Sequence, residues 1–405
     1  MTDNSSTTNS TTQPLPKVLI SGASIAGPAL ARWLGRNGFS VTVVEKSPSI
    51  RPGGQAVDFK GDTHMRLLHA MGVYDDIWAA QTSRTDWRII NAKEEVQAIL
   101  PGEFLGGNVE ILRGDLADIL YRHSAKDAAY VFGDEITALH DDGGGVDVEF
   151  AHRPPERFDL VIGADGVHSA VRRLAYGPED DYLVKTGFYY AIASAPVPLE
   201  NLEIKLADGR AVAYAYSEPY RFACLGGQKA PSLFIFAGKE GSKYDRRSAV
   251  AQHEFLDSHF KGSGWRIPQA LAAVGTTDFY MDELVRTKMD TYTRGRVALV
   301  GDAGYANTLG GFGSGLALMG AYVLSGELVK CHGDYAAAFA EYDRVMAKPA
   351  SVAKTGNAGE FFCPPSYWRI WLRNLSFANS WTRAGMVWVA NWMATDESMP
   401  VYDML

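Results

Sequence analysis

The stretch from Val18 to Lys46 constrains the fold more than any other part of the chain. Val18-Leu19-Ile20 is a short apolar, β-favouring run, followed at once by Gly22-Ala23-Ser24-Ile25-Ala26-Gly27 and a helical pattern through Leu30, Leu34 and Asn37. Gly38 closes that helix. Val41-Thr42-Val43-Val44 then reads as a second, parallel strand buried on both faces and ending at Glu45 and Lys46. Strand, glycine turn, helix and strand make a complete βαβ unit, which predicts an α/β fold. Gly22 permits the tight turn and Gly27 lets helix and strand approach closely. The amides of Ser24, Ile25 and Ala26, at the helix start, are free to face a pyrophosphate. Glu45 follows Gly22 by 23 residues, where a carboxylate accepts hydrogen bonds from ribose hydroxyls and repels a 2′-phosphate. The pattern therefore calls for an unphosphorylated dinucleotide, and FAD and NAD both qualify. Ser24 stands where the fingerprint usually has its middle glycine, which crowds the approach to the pyrophosphate.

Two further bends have the same character. Residues 159–173, DLVIGADGVHSAVRR, read as a buried strand, a turn at Asp165-Gly166 and a helix capped near His168-Ser169. Residues 295–304, GRVALVGDAG, repeat the pattern with a turn at Gly301-Asp302. The continuation through Gly310, Gly311, Gly313, Ser314 and Gly315 is too rich in glycine for loop-making alone and implies a close approach to the backbone.

Together the three stations resemble the single-component, class A flavoprotein monooxygenases, the family of para-hydroxybenzoate hydroxylase, aromatic polyketide hydroxylases and the tetracycline-inactivating monooxygenases. The resemblance covers nearly the whole chain and rests on three motifs in the family's order and approximate spacing. It implies FAD as cofactor, with NADPH or NADH and O2 as co-substrates. It also implies that Asp302 bonds a hydroxyl of the ribityl chain, that Gly311, Gly313 and Gly315 lie against the isoalloxazine, and that Arg113 reaches the flavin. Asp165 and Gly166 are placed near the pyrophosphate and the reducing nicotinamide. Two departures stand out: Thr308 lies where the family often has proline, and Gly311-Phe312-Gly313 replaces a Gly-Gln-Gly-like triplet.

A chain of 405 residues is longer than one core readily supports, so two packed domains are expected. The reading is a Rossmann-type FAD-binding domain over 17–75, 100–180 and 280–345, with an inserted antiparallel-sheet substrate domain over 76–99 and 181–279. Residues 346–405 form a C-terminal helical segment, and residues 1–16, rich in Ser and Thr, a disordered tail. The segments around Tyr190, Tyr214, Phe222 and Phe236 alternate with turns and predict a sheet that faces the flavin, with these four aromatics as candidate pocket residues. For any one of them plain sheet core is the simpler reading. Gln55 and Asp58, just after the first unit, are candidates for flavin or substrate contact. Trp368, Trp371, Trp381, Trp388 and Trp392 suggest a helical pair packed across both domains; a membrane-surface helix is disfavoured by the lack of clustered Lys and Arg.

The net charge of −8, with scattered Lys and Arg, gives no footprint for nucleic acid. No apolar run is long enough to span a bilayer. Cys224, Cys331 and Cys363 lack metal-ligand spacing and read as buried, reduced thiols, in keeping with a cytoplasmic protein that is a monomer or weak homodimer.

The function expected is NAD(P)H-dependent monooxygenation of an apolar, aromatic or polyketide-like small molecule, with oxygen carried at the flavin C4a. A non-redox cyclase or isomerase that keeps FAD as a structural element is the alternative. No nucleophilic triad or acid-base pair is visible, so no catalytic side chain is assigned.

Overall fold

The computed structural model describes residues 15–193, 199–226, 232–238, 244–275, 279–311, 313–393 and 399–405, apart from the side chains of 352–353 and 389–393. Residues 1–14 of the expected tail and Phe312 lie outside the described residues. The folded body starts earlier than the expected tail boundary: Leu15 and Pro16 pack against Gly38 and Gly333.

The βαβ unit forms as read, with strand Lys17–Ser21, helix Ala26–Arg36 and strand Ser40–Glu45. These strands sit inside a six-stranded sheet in the spatial order Thr293–Arg294, Val297–Leu299, Leu160–Gly163, Lys17–Ser21, Ser40–Glu45, Ala129–Phe132. All neighbours pair in parallel except the first two. Helices and a three-stranded antiparallel sheet, Ile136–Asp141, Val146–Phe150 and Glu156–Phe158, share one core with these strands, and Val18, Leu19, Ile20, Leu160, Val161 and Ile162 are all fully buried in it. One cover is the helix Gly313–Lys330, whose small residues allow close approach: a Cβ on Gly320 would fall 1.7 Å from the Tyr305 hydroxyl.

The second sheet has seven strands, ordered Phe279–Thr287, Leu183–Ala193, Ser232–Ala237, Arg221–Leu225, Ala211–Glu218, Thr85–Ile90, Val96–Leu100. It is antiparallel, as expected, with one exception: Ala211–Glu218 runs parallel to Thr85–Ile90. No hairpin joins those two segments, because the chain between them passes through the first domain; nothing forces an antiparallel return.

Each face of this sheet has its own cover. Tyr190, Ile192, Ala213, Phe222, Cys224, Ile235 and Leu284 point to the near face, where Leu309, Phe361, Phe362, Phe377 and Met386 pack on them. Tyr189, Phe234, Phe236 and Met281 point to the far face, against the helices Ala249–Phe260 and Ile267–Ala273. Strand periodicity thus corrects two candidates. Phe236 stacks in the far-face core with Tyr189, Phe255 and Phe260. Tyr214, buried with Ile90 and Val212, also turns away from the near face and bonds the Glu203 carbonyl at 3.0 Å.

The C-terminal helices Tyr367–Leu375 and Ser380–Met393 form where expected, and the second packs on the helix Gly102–Leu105 as well. They lie against the second sheet, through Ile370, Phe377 and Met386, and their indoles face outward. The side chain of Trp392 is outside the described residues. The terminal segment returns to the first domain: Tyr402 lies on Gly326 and its hydroxyl donates to Glu327 Oε1 at 2.7 Å. Cys224 and Cys363 are buried, while Cys331 is half-buried.

Candidate cofactor site

The three bends meet. Gly22 takes φ +105°, and a Cβ there would stand 2.5 Å from the Ala164 carbonyl oxygen, so the first turn is packed directly on the Asp165 bend. A Cβ on Gly27 would stand 1.9 Å from the Gly22 oxygen, which is the close strand-helix contact the spacing called for. Gly301 takes φ +65°, and its Cβ would come to 3.4 Å from the Cβ atoms of both Ala26 and Ala317. That contact brings the third bend onto the start of the first helix.

Polar groups then accumulate around this junction. The first helix begins at Ile25 without any side-chain cap, which leaves its first amides for an external acceptor. Glu45 braces the turn by accepting from the amides of Ala23 and Ser47, each at 2.9 Å. Lys46 beside it is exposed. Arg113 opens a helix whose entry is pinned by its own amide on the Gln55 carbonyl at 3.0 Å, and its Nη2 donates to Ser24 Oγ at 3.1 Å. Ser24 is therefore a handle for Arg113, a use the missing middle glycine had not suggested. Gln55 joins the site through its backbone. Asp58 accepts from the Gly107 amide at 3.1 Å and holds a loop.

Asp302 is exposed on the cleft, and no described group donates a hydrogen bond to its carboxylate. The surrounding protein desolvates it and raises its pKa, while the Arg113 charge acts the other way. Asp165 differs. Its carboxylate accepts from Ser169 Oγ at 2.5 Å and from the amides of Ala170 and Val171 at 2.8 and 3.1 Å, so it is spent on capping the helix Ala170–Ala175. Gly166, at φ +82°, meets nothing within 4 Å. The glycine run is mixed in purpose. Gly311 faces open space and Gly313 stands beside Asp302, next to Ser314, but Gly315 is required by the His64 ring, which a Cβ would meet at 2.2 Å.

Two groups escaped the sequence reading. Arg172, only 1% exposed, donates to the carbonyls of Val167 at 2.6 Å and Ala303 at 2.8 Å, tying the second bend to the third. Adjacent arginines ordinarily signal a solvated surface, so the sequence carried no sign of this burial. The second is a polar chain that leads outward from the site. Tyr190 shares a hydrogen bond with Tyr280, whose hydroxyl donates to Asp282 Oδ2 at 2.9 Å. His168 Nε2 meets the same carboxylate oxygen at 2.9 Å and its Nδ1 meets Glu179 at 3.0 Å. Burial alone lowers the His168 pKa, but the two carboxylates more than offset it and the net shift is upward. The Arg113 charge lowers the pKa of both Tyr190 and Tyr280, against the larger upward effect of burial.

This donor set suits FAD: uncapped helix amides for the pyrophosphate, Glu45 beside the first turn, and an unpartnered Asp302 carboxylate for a polyol hydroxyl. The arrangement defines a dinucleotide-binding α/β protein with an apolar sheet packed on the glycine run through Leu309. The chain belongs to the FAD binding domain family, which matches residues 16–338. It is 38% identical over 338 residues to a flavin-dependent monooxygenase of an unknown prokaryotic organism, covering 82% of this chain and 85% of that one. The tetracycline destructase Tet(51) superposes with a TM-score of 0.79 at 32% identity, over 96% of this chain and all 100% of the other. HpxO of Klebsiella pneumoniae, solved with FAD and uric acid, shares the fold at a TM-score of 0.68 and 20% identity, over 92% of this chain and 96% of its own. The protein is thus a flavin-dependent monooxygenase that binds FAD.

Proposed function

We propose that the enzyme takes electrons from NADH or NADPH and uses O2 to place one oxygen atom on an apolar, ring-bearing small molecule. Bound FAD supplies the redox and oxygen chemistry. The protein's part is to hold, orient and keep dry. The single observation that supports the substrate class is the apolar, aromatic-rich cluster on the near face of the second sheet, in which Tyr190, Phe222, Ile235 and Leu284 pack with Phe361 and Phe362 and with Leu309 of the glycine run. Such a wall excludes water from a reacting centre and selects for apolar surface. Phe222 is itself covered by Trp87 and Phe362, so its part is in shaping the wall. Tyr190, with its hydroxyl kept protonated by burial and its bond to Tyr280, is the polar group on that wall.

The test is anaerobic mixing of the holoenzyme with NADH and NADPH, followed by oxygen uptake across a panel of phenols, polyketides and tetracyclines. Bleaching of the flavin band and substrate-dependent oxygen consumption with an oxygenated product are the expected results. A flavin that stays oxidised with both donors would sink the proposal and favour a non-redox cyclase.

A further inference from the structure

The helix Tyr367–Leu375 is amphipathic inside out. Its buried face carries Ile370 and Arg373, the latter donating to the Phe362 carbonyl at 2.9 Å and to Ser217 Oγ at 2.9 Å. Its solvent face carries Tyr367, Trp368, Trp371, Leu372 and Leu375, which are 69, 61, 57, 46 and 45% exposed. Trp368 and Trp371 stack on one another with ring centroids 6.0 Å apart. The next helix continues the pattern: Trp381 and Trp388, two turns apart on one side of it, are 88 and 67% exposed. These four indoles alone leave roughly 700 Å² of aromatic surface in water, if a whole indole side chain offers about 250 Å². So much exposed aromatic surface is unusual for a monomer, and packing among the described residues does not account for it.

Charge selects the partner. From residue 361 to residue 393 there is no Asp or Glu, while Arg369 and Arg383 accompany the aromatic face, in a chain whose net charge is −8. Indoles and tyrosines are amphipathic side chains suited to the boundary between water and hydrocarbon, and uncountered arginines beside them attract anionic headgroups. We propose that this face docks on the surface of an anionic lipid bilayer, with the two helices lying in the interface plane. No described helix is long and apolar enough to cross a membrane, so the attachment is peripheral. Clustered Lys and Arg is the usual sequence sign of such a face. Here the sign is the absence of acids, and it acquires meaning only once the indoles are seen to point outward.

The experiment uses full-length, FAD-loaded protein and sedimentation with vesicles of phosphatidylcholine alone or mixed equally with phosphatidylglycerol. Binding to the mixed vesicles should be tighter by on the order of ten-fold, and salt should weaken it. Tryptophan fluorescence should shift to the blue on binding. The variant W368S/W371S/W381S/W388S should lose vesicle binding by at least about ten-fold while keeping its flavin and melting temperature, because these side chains make little contact with the body of the protein. The milder pair R369E/R383E, which leaves every indole in place, should lose the preference for phosphatidylglycerol. Failure of the wild type to sediment with either vesicle would overturn the proposal. So would undiminished binding by both variants, or a concentration-dependent dimer that the tryptophan variant abolishes, which would assign the face to a second copy of this chain.

Discussion

Arg172 Nη1 donates to the carbonyl of Ala303 at 2.8 Å, across 131 residues of sequence and one position past Asp302. The same guanidinium holds the Val167 carbonyl, one position past Gly166. A single buried cation therefore ties together two of the three bends that meet at the candidate cofactor site. Replacing it with Met leaves two buried carbonyls without donors. We expect R172M to lose roughly 2–4 kcal/mol of stability, and flavin affinity with it. Chemical denaturation and the flavin remaining after gel filtration check both.

Gly22 and Gly311 both have positive φ, yet only Gly22 faces a wall. G22A places a methyl group 2.5 Å from the Ala164 oxygen at φ +105° and should yield protein with little or no bound FAD. G311A, with open space at φ +82°, pays only the backbone term, about 1 kcal/mol, and should remain yellow. Absorbance of the purified proteins near the flavin maximum tells them apart.

Asp302 is the carboxylate on the cleft without a protein donor. D302A should weaken FAD by about ten- to a hundred-fold, the loss of one hydrogen bond to a charged acceptor. Fluorescence titration of the deflavinated protein measures this.

His168 makes stability depend on pH. Its folded pKa is raised, so its contribution is complete below the ordinary histidine pKa, near 6.5, and is lost as pH rises through the higher folded value. Asp282 works the other way. Burial raises its pKa, the bond and charge of His168 more than reverse this, and the net value lies below the ordinary one. Its contribution is present above the ordinary Asp pKa and fades as pH falls through the depressed one. Arg246, which also contacts His168 Nδ1, and Glu179 share the site. Melting curves of wild type minus H168Q should therefore show the largest difference between the ordinary Asp and His values, and a difference that does not shrink toward alkaline pH would contradict this assignment.

Thr308 stitches the glycine run to the second sheet: its amide and its hydroxyl both donate to the Val285 carbonyl, at 3.1 and 3.2 Å, and its hydroxyl oxygen accepts from the Val285 amide at 3.3 Å. Proline has no amide hydrogen for this stitch. T308P should cost about 1–3 kcal/mol and loosen the flavin, whereas T308V, which keeps the amide bond, should cost less. Melting temperature and flavin fluorescence anisotropy report the two effects.

The nucleotide end of the site was legible in the chain because its chemistry is local. Gly22, Gly27 and Glu45 lie within one βαβ unit, where spacing alone fixes which backbone must turn, which must touch and which carboxylate faces the turn. The bends at Asp165-Gly166 and Gly301-Asp302 were legible for the same reason. Tertiary structure decided what depends on partners far away in sequence. Arg172 proved to be a buried tie to Ala303, Gly315 a seat for His64, and Ser24 a ligand of Arg113. Strand alternation decides that Tyr190 and Tyr214 point to opposite faces, but only the packing of the whole sheet says which face meets the cofactor stations. The sequence likewise places five tryptophans on two helices, and an amphipathic pattern is the same whether its apolar side turns inward or out. What decides is Arg373, which finds carbonyl partners inside and so turns the indole stripe to the surface.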